Sequence, residues 1–294
     1  MVTGASGLLG SRLVELALEK GHDITSIYKD HVPLHGKPIA LDLTHSTKVN
    51  KALSEIHPDV LINAAAMTDV DRCELEPDAA FAVNATSVSN LAKVAKEIGS
   101  FLVHVSTDYV FDGVKGNYSE SDEPHPVNAY GKSKLEGENA VKKELDEETW
   151  SISRSSVVYG WGRTSRPNAA TFVYDKLSGG ESIRIARDQF SSPTLNTSLS
   201  AMLIEIAERK LPGIIHTAGA TRLSRFDFAV GLAKTFELDA TLIKAVEARD
   251  LQWKARRPAD SSLMVRRAQE SLGEAPLSIN TAYEALRREH TRWD

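Results

Sequence analysis

The chain has 294 residues, with 35 Lys and Arg against 40 Asp and Glu, so its formal net charge is −5. This small acidic excess lacks the basic face that a nucleic-acid partner requires. Its 41% hydrophobic and 26% charged residues are ordinary for a soluble folded chain. A single cysteine, Cys73, rules out an internal disulfide and suits a reducing cytoplasm. No apolar run approaches the roughly 18 residues of a membrane helix, and no basic-then-apolar start marks a secretion signal.

The first half alternates short apolar runs with segments of helical period. Strands are expected at Met1–Thr3, Asp23–Tyr28, Asp59–Ala64, Phe101–Ser106 and Trp150–Ser156. Helices are expected at Leu8–Lys20, Thr47–Ile56, Pro77–Ile98 and Ala129–Leu145. Alternating strands and helices, with nearly continuous apolar strands, predict an α/β fold: a Rossmann-type doubly wound parallel sheet covered on both faces. Only three residues precede the glycine loop at Gly4, against about five or six in a typical strand. Either residues precede Met1 or the first strand is short.

After about Tyr159 the pattern loosens. Trp161–Asn168 and Arg187–Thr197 read as loops. Helices follow at Ala169–Leu177, Leu199–Lys210, Arg225–Phe236, Arg267–Leu272 and Thr281–His290, and short strands at Ser182–Ala186, Ile214–Thr217 and Leu242–Val246. The expected organisation is a dinucleotide-binding core over residues 1–160. A smaller α+β substrate lobe fills most of 161–294, with some segments returning to the first sheet.

Gly4-Ala5-Ser6-Gly7-Leu8-Leu9-Gly10 stands at the first strand-to-helix junction. There glycines allow a tight turn and a close approach to pyrophosphate, and the helix N-terminus offers free N–H groups. NAD or NADP is the implied cofactor. After the second strand, Lys29 suits a 2′-phosphate and Asp30 a ribose hydroxyl, which leaves the choice open with a lean to NADPH. Ala64, Ala65 and Ala66 end the third parallel run, where small side chains let a dinucleotide lie close. Asn84 falls mid-helix, either facing solvent or supporting the active site.

Ser106-Thr107-Asp108-Tyr109 ends an apolar run, and Tyr130-Gly131-Lys132-Ser133-Lys134 opens a helix. Tyr130 and Lys134 are an i, i+4 pair and share a helical face. Reducing a ketone requires a proton for oxygen, which a tyrosine can supply. A nearby lysine ammonium lowers the tyrosine pKa and can hold a ribose, and Thr107 can orient the substrate oxygen. Nine histidines show no metal-ligand spacing, so no metal is expected.

The G-x-x-G-x-x-G spacing resembles the extended short-chain dehydrogenase/reductases, in which an acid–apolar pair such as Asp42-Leu43 flanks the adenine. More narrowly, the chain resembles the dTDP-4-dehydrorhamnose reductase family. The resemblance rests on Asn63–Asp71 (NAAAMTDVD), Ser106–Gly113 (STDYVFDG), Pro126–Glu138, Asp188–Thr194 (DQFSSPT) and Ala255–Pro258. It implies NAD(P)H-dependent reduction of a nucleoside-diphosphate 4-keto-6-deoxysugar, with Thr107, Tyr130 and Lys134 as the catalytic trio. Thr68, Asp108, Tyr109, Gln189, Pro193 and Arg257 would then meet the substrate, and a homodimer is implied that no self-complementary patch marks. Two departures touch the substrate side: Val157 replaces the family's tryptophan, with Trp161 displaced nearby, and Ser191 replaces a glycine. The chain also resembles the regulatory β subunit of methionine adenosyltransferase, whose catalytic-strand motif reads S-S-D-Y where this chain keeps Thr107. A nucleotide-sugar epimerase or dehydratase is a further alternative, although Asp108 is followed by Tyr109 and not by the second acid of a dehydratase.

Overall fold

The computed structural model describes residues 1–162 and 167–290. In chain order the first half runs β1 (Val2–Thr3), α1 (Leu8–Glu19), β2 (Thr25–Tyr28), β3 (Lys37–Ala40), α2 (Ser46–Ile56), β4 (Val60–Asn63), α3 (Val70–Leu75), α4 (Pro77–Phe81), a π turn at Ala82–Thr86, α5 (Ser87–Ile98), β5 (Phe101–Thr107), α6 (Ala129–Glu144) and β6 (Trp150–Ser155). The second half adds β7 (Val158–Tyr159), α7 (Ala169–Ser178), β8 (Ile183–Ala186), β9 (Phe190–Ser191), β10 (Thr194–Leu195), α8 (Asn196–Arg209), β11 (Gly213–His216), β12 (Leu223–Ser224), α9 (Arg225–Thr235), β13 (Ile243–Val246), α10 (Arg266–Ser271) and α11 (Ile279–His290).

Seven strands form one parallel sheet in the order β11-β6-β5-β4-β1-β2-β3. The order reverses at β1, and this is the topological switch point where open α/β sheets bind their ligands. The expected α/β doubly wound fold is therefore the fold observed. Its central strands are buried on both faces, which is why they read as unbroken apolar runs. On one face, Leu13 and Val14 of α1 pack with Leu199, Met202 and Leu203 of α8. On the other, Val49 and Leu53 of α2, Leu91 and Val94 of α5 and Val141 of α6 form a second core. A third cluster joins α7, α9 and α11 through Val173, Leu232 and Leu286.

Several elements depart from the pattern reading. The strand β3 lies at the sheet edge with mostly exposed residues and Pro38, so it lacks the apolar signature of its neighbours. The helix expected over Pro77–Ile98 is continuous in direction but loosens into the π turn around Asn84. A further helix, α3, starts on an Asp69 side-chain cap. The Arg187–Thr197 segment is not merely a loop: it contains β9, β10 and the start of α8. Of the loop expected over Trp161–Asn168, residues 163–166 lie outside the described residues. The strand expected near Ile214 is β11, which pairs with β6 and extends the first sheet. Among the described residues no helix is long and apolar enough to cross a membrane.

Leu203 is fully buried between α1 and the sheet. Leu203→Ala should lower unfolding stability by about 2–5 kcal/mol, as cavity-forming substitutions do. Urea denaturation checks this, and a loss below about 1 kcal/mol would show that α8 does not carry the α1 face.

Candidate active site

The glycine loop, the Ala64–Ala66 turn and Thr107 all lie at the carboxyl ends of neighbouring strands β1, β4 and β5. Gly4 has φ +65°, and a Cβ on it would lie 2.8 Å from the backbone of Ala65. A Cβ on Gly10 would lie 2.1 Å from the Gly4 carbonyl oxygen. The loop is therefore wedged between the first turn of α1 and the turn after β4. Gly7 caps α1 without a side-chain hydrogen bond, and among the described residues no side chain hydrogen-bonds the first-turn N–H groups of Leu8, Leu9 and Gly10. This is a cradle suited to a diphosphate, and the residues present fit a dinucleotide. Ser6 borders a groove with Arg12, His31, His35 and Trp161. The Leu9 and Leu43 side chains pack against the two sheet cores.

Lys29 and Asp42 meet each other, with Nζ 2.9 Å from the carboxylate. The hydrogen bond to Asp42 raises the Lys29 pKa. Partial burial would raise Asp42, but hydrogen bonds from Lys29 and Thr44 outweigh it and hold Asp42 down at about 2.

Tyr130 stands in the first turn of α6, which begins on an Asn128 side-chain cap. Its ring meets Tyr109 edge-on at 5.9 Å. Burial raises the Tyr130 pKa, and an interaction with the Thr107 side chain offsets part of this. Thr107 donates to Asp108 Oδ1 at 3.0 Å and accepts from the Tyr109 N–H at 3.2 Å. Lys134, expected to lower the Tyr130 pKa, stands one turn further along α6. Its ammonium donates to the Val105 carbonyl at 2.7 Å, and its Nζ lies 3.4 Å from His104 Nε2. Burial pulls the Lys134 pKa down to about 8, against the attraction of Glu138. Glu138 is itself engaged by Arg154, at 2.7 and 3.0 Å, and by the Ser106 hydroxyl.

Asp108, expected to meet substrate, is 2% exposed. Its carboxylate accepts from Ser156 and Ser261 as well as Thr107, so it clasps chain segments far apart in sequence. Burial raises its pKa to about 6 despite these donors. Gln189 reaches the same cluster, donating to the Tyr109 hydroxyl at 3.4 Å and the Pro258 carbonyl at 3.3 Å. Its Oε1 is buried and unpartnered among the described residues. Pro193 is buried beside Gly219, and Thr68 is exposed. Arg257 pairs with Asp71 at 3.0 Å and lies over Trp253. Trp161 stands apart, packed with Tyr174, Phe236 and His290 and donating to the Leu286 carbonyl. Val157, at the departure from the family pattern, has φ +39°, a strained conformation for a β-branched residue.

Asn84 is fully buried. It binds both backbone groups of Met67 and donates to Ser133 Oγ, joining the turn after β4 to α6. Of its two readings, the solvent-facing one is excluded, and the side chain links the turn after β4 to the helix that carries Tyr130 and Lys134. The sequence did not single out His104, Ser156, Ser261 or the Glu138–Arg154 pair, whose partners are distant in the chain.

The family described as "RmlD substrate binding domain" matches residues 1–290. The chain belongs to this family. The probable low-salt glycan biosynthesis reductase Agl14 of Haloferax volcanii is 36% identical, over 97% of this chain and 96% of that protein. The methionine adenosyltransferase 2 subunit beta of Xenopus laevis is 32% identical, over 84% of this chain and 74% of that one. The crystal structure of dTDP-4-dehydrorhamnose reductase from Bacillus anthracis in complex with NADP superposes with a TM-score of 0.88 at 29% identity, covering 98% of each chain.

Burying Lys134 works against stability. Its pKa of about 8 in the fold, against 10.5 when free, destabilises the fold by on the order of 3 kcal/mol wherever the folded side chain is charged. Lys134→Met should therefore raise stability near neutral pH. That gain should hold below about pH 8 and vanish as pH rises towards 10.5, where the unfolded lysine also loses its proton. Thermal unfolding of both proteins across this range measures it, and a variant less stable than the parent at pH 7 would refute the reading.

Proposed function

We propose that this protein reduces the 4-keto group of a nucleoside-diphosphate 6-deoxysugar with NADPH or NADH, with dTDP-4-dehydrorhamnose as the leading substrate. The chain is an NAD(P)H-dependent oxidoreductase. The observation that carries the reading is Tyr130 beside Thr107 at the end of β5 next to the glycine loop, with Lys134 one turn further along α6 and bonded to Val105 of β5.

When bound, the reduced nicotinamide supplies the hydride for the carbonyl carbon. Tyr130 gives its hydroxyl proton to the oxygen, and the ketone becomes an alcohol. Burial keeps Tyr130 protonated in the absence of ligands, which is the form a general acid needs. Thr107 can donate to the substrate oxygen only by turning its hydroxyl away from Asp108. Lys134, held by Val105, has N–H groups left for a ribose and a positive charge that favours the tyrosinate formed in the step. Gln189 and Tyr109 border the sugar, and Asp108 orders the wall behind it. Leu8, Leu9 and Gly10 offer backbone N–H groups to the diphosphate.

Substrate-dependent NADPH or NADH oxidation, with dTDP-4-keto-6-deoxyhexose generated in situ, tests the reading. Tyr130→Phe should abolish turnover while cofactor still binds, and unchanged turnover would sink the mechanism. Cofactor binding without oxidation, together with capture of methionine adenosyltransferase, would favour the regulatory-subunit reading. On the cofactor side, Lys29→Ala should raise the KM for NADPH about tenfold and leave that for NADH nearly unchanged. Equal effects on both would place the 2′-phosphate elsewhere.

A further inference from the structure

Three neighbouring strands end in one buried polar row. Thr3 of β1 is the register partner of Asn63 in β4, and Asn63 is that of His104 in β5. Their exposures are 0%, 1% and 0%. Thr3 Oγ1 donates to Asn63 Oδ1 at 2.6 Å, Asn63 Nδ2 donates to His104 Nδ1 at 3.1 Å, and His104 Nε2 lies 3.4 Å from Lys134 Nζ. At the other end the Ala65 N–H donates to Thr3 Oγ1 at 3.4 Å. Ala65 is also the residue whose backbone presses on Gly4. The row thus runs from the turn that supports the glycine loop to the lysine of the proposed catalytic trio.

Packing alone does not call for such a row. Apolar side chains would fill the same space, as Leu61 and Leu102 do two positions earlier on the same face, with no buried polar groups to satisfy. The direction of the hydrogen bonds carries the chemical consequence. A neutral imidazole that accepts at Nδ1 holds its proton on Nε2. Burial and the neighbouring Lys134 charge both push the His104 pKa well below its ordinary value, keeping the ring neutral. The Nε2–H and an ammonium N–H cannot share the line between the two nitrogens. The N–H groups of Lys134 are therefore turned towards the Val105 carbonyl and the cofactor side.

We propose that His104 is a positioning residue for Lys134, held in place by Asn63 and Thr3 and linked through Ala65 to the glycine loop. The proposal rests on the catalytic reading of Lys134 given above.

Two substitutions divide the imidazole. Asparagine at this position places an amide near Nδ1 and keeps the Asn63 contact, whereas glutamine places one near Nε2, where its amide N–H can stand in for the imidazole donor facing Lys134. His104→Asn should lower kcat about tenfold or more, as small misplacements of reacting groups do, with the KM for the keto sugar and the thermal midpoint close to those of the parent. His104→Gln should recover most of that kcat. A parental kcat in His104→Asn, or equal losses in both variants, would overturn the proposal. If neither variant folds, Thr3→Val and Thr3→Ser give the same test from the far end of the row. Loss of the hydroxyl should lower kcat and its retention should not, and equal kcat values would overturn the proposal. Tyr130→Phe assayed in parallel separates the failures: an active Tyr130→Phe refutes the catalytic reading, while an inactive one beside a fully active His104→Asn refutes only the role of His104.

Discussion

Gly4 and Ala65 approach so closely that neither backbone leaves room for a side chain at Gly4. That contact lies just beyond the paired ends of β1 and β4, at the point where the strand order reverses. The glycine loop turns over it, the first turn of α1 leaves from it, and the polar row beneath it reaches Lys134. A methyl group at Gly4 would push these strand ends apart, and a crevice sized for a dinucleotide would lose its floor. The small residues Ala64, Ala65 and Ala66 follow from the same demand.

The chemistry of the site depends on burying polar groups that a purely stable protein would avoid. Lys134, Asp108, His104 and the Glu138–Arg154 pair are all nearly inaccessible. Each is held by partners from other parts of the chain, although Arg154 Nη1 is left without a hydrogen bond among the described residues. Glu138 is held by Arg154 of β6 and Ser106 of β5, so it does not form a direct ion pair with Lys134. No carboxylate is bonded to the Lys134 ammonium among the described residues, and the attraction of Glu138 reaches it through a low-dielectric setting, where charge acts over a longer reach than in water. Buried ion pairs are weak sources of stability, and here the arrangement is better understood as fixing where one cation can lie.

The parts of the site that the sequence made legible are those whose geometry is local. Gly4–Gly10 is a strand–turn–helix motif, and Tyr130 and Lys134 share one face of one helix, so residue spacing reports their arrangement. Thr107 was legible because a strand end in a parallel sheet has a known ligand side. His104 was not, since it sits in an apolar strand and meets partners 41 and 30 residues away. The partners of Asp108 were not legible for a related reason: its serine donors are 48 and 153 residues distant. Lys29 and Asp42 were read as separate cofactor contacts, and only the adjacency of β2 and β3 brings them together. The edge strand β3 escaped notice because exposure and Pro38 erase the apolar run, and the π turn escaped because the apolar spacing continues across it.

The cover of the sheet comes from two distant stretches of chain. β1 to β6 are complete by Ser155, yet the apolar face of α1 is closed by α8, which begins only at Asn196, and the edge beyond β6 is paired by β11 at Gly213–His216. During synthesis the nucleotide-binding strands can therefore assemble while one core layer is still bare. The glycine loop and its helix are made well before α8, which shelters them. An emerging chain would expose Leu13 and Val14 to other hydrophobic surfaces over that interval, so the vulnerability of this protein in the cell lies in its order of assembly as well as in the stability of its finished form.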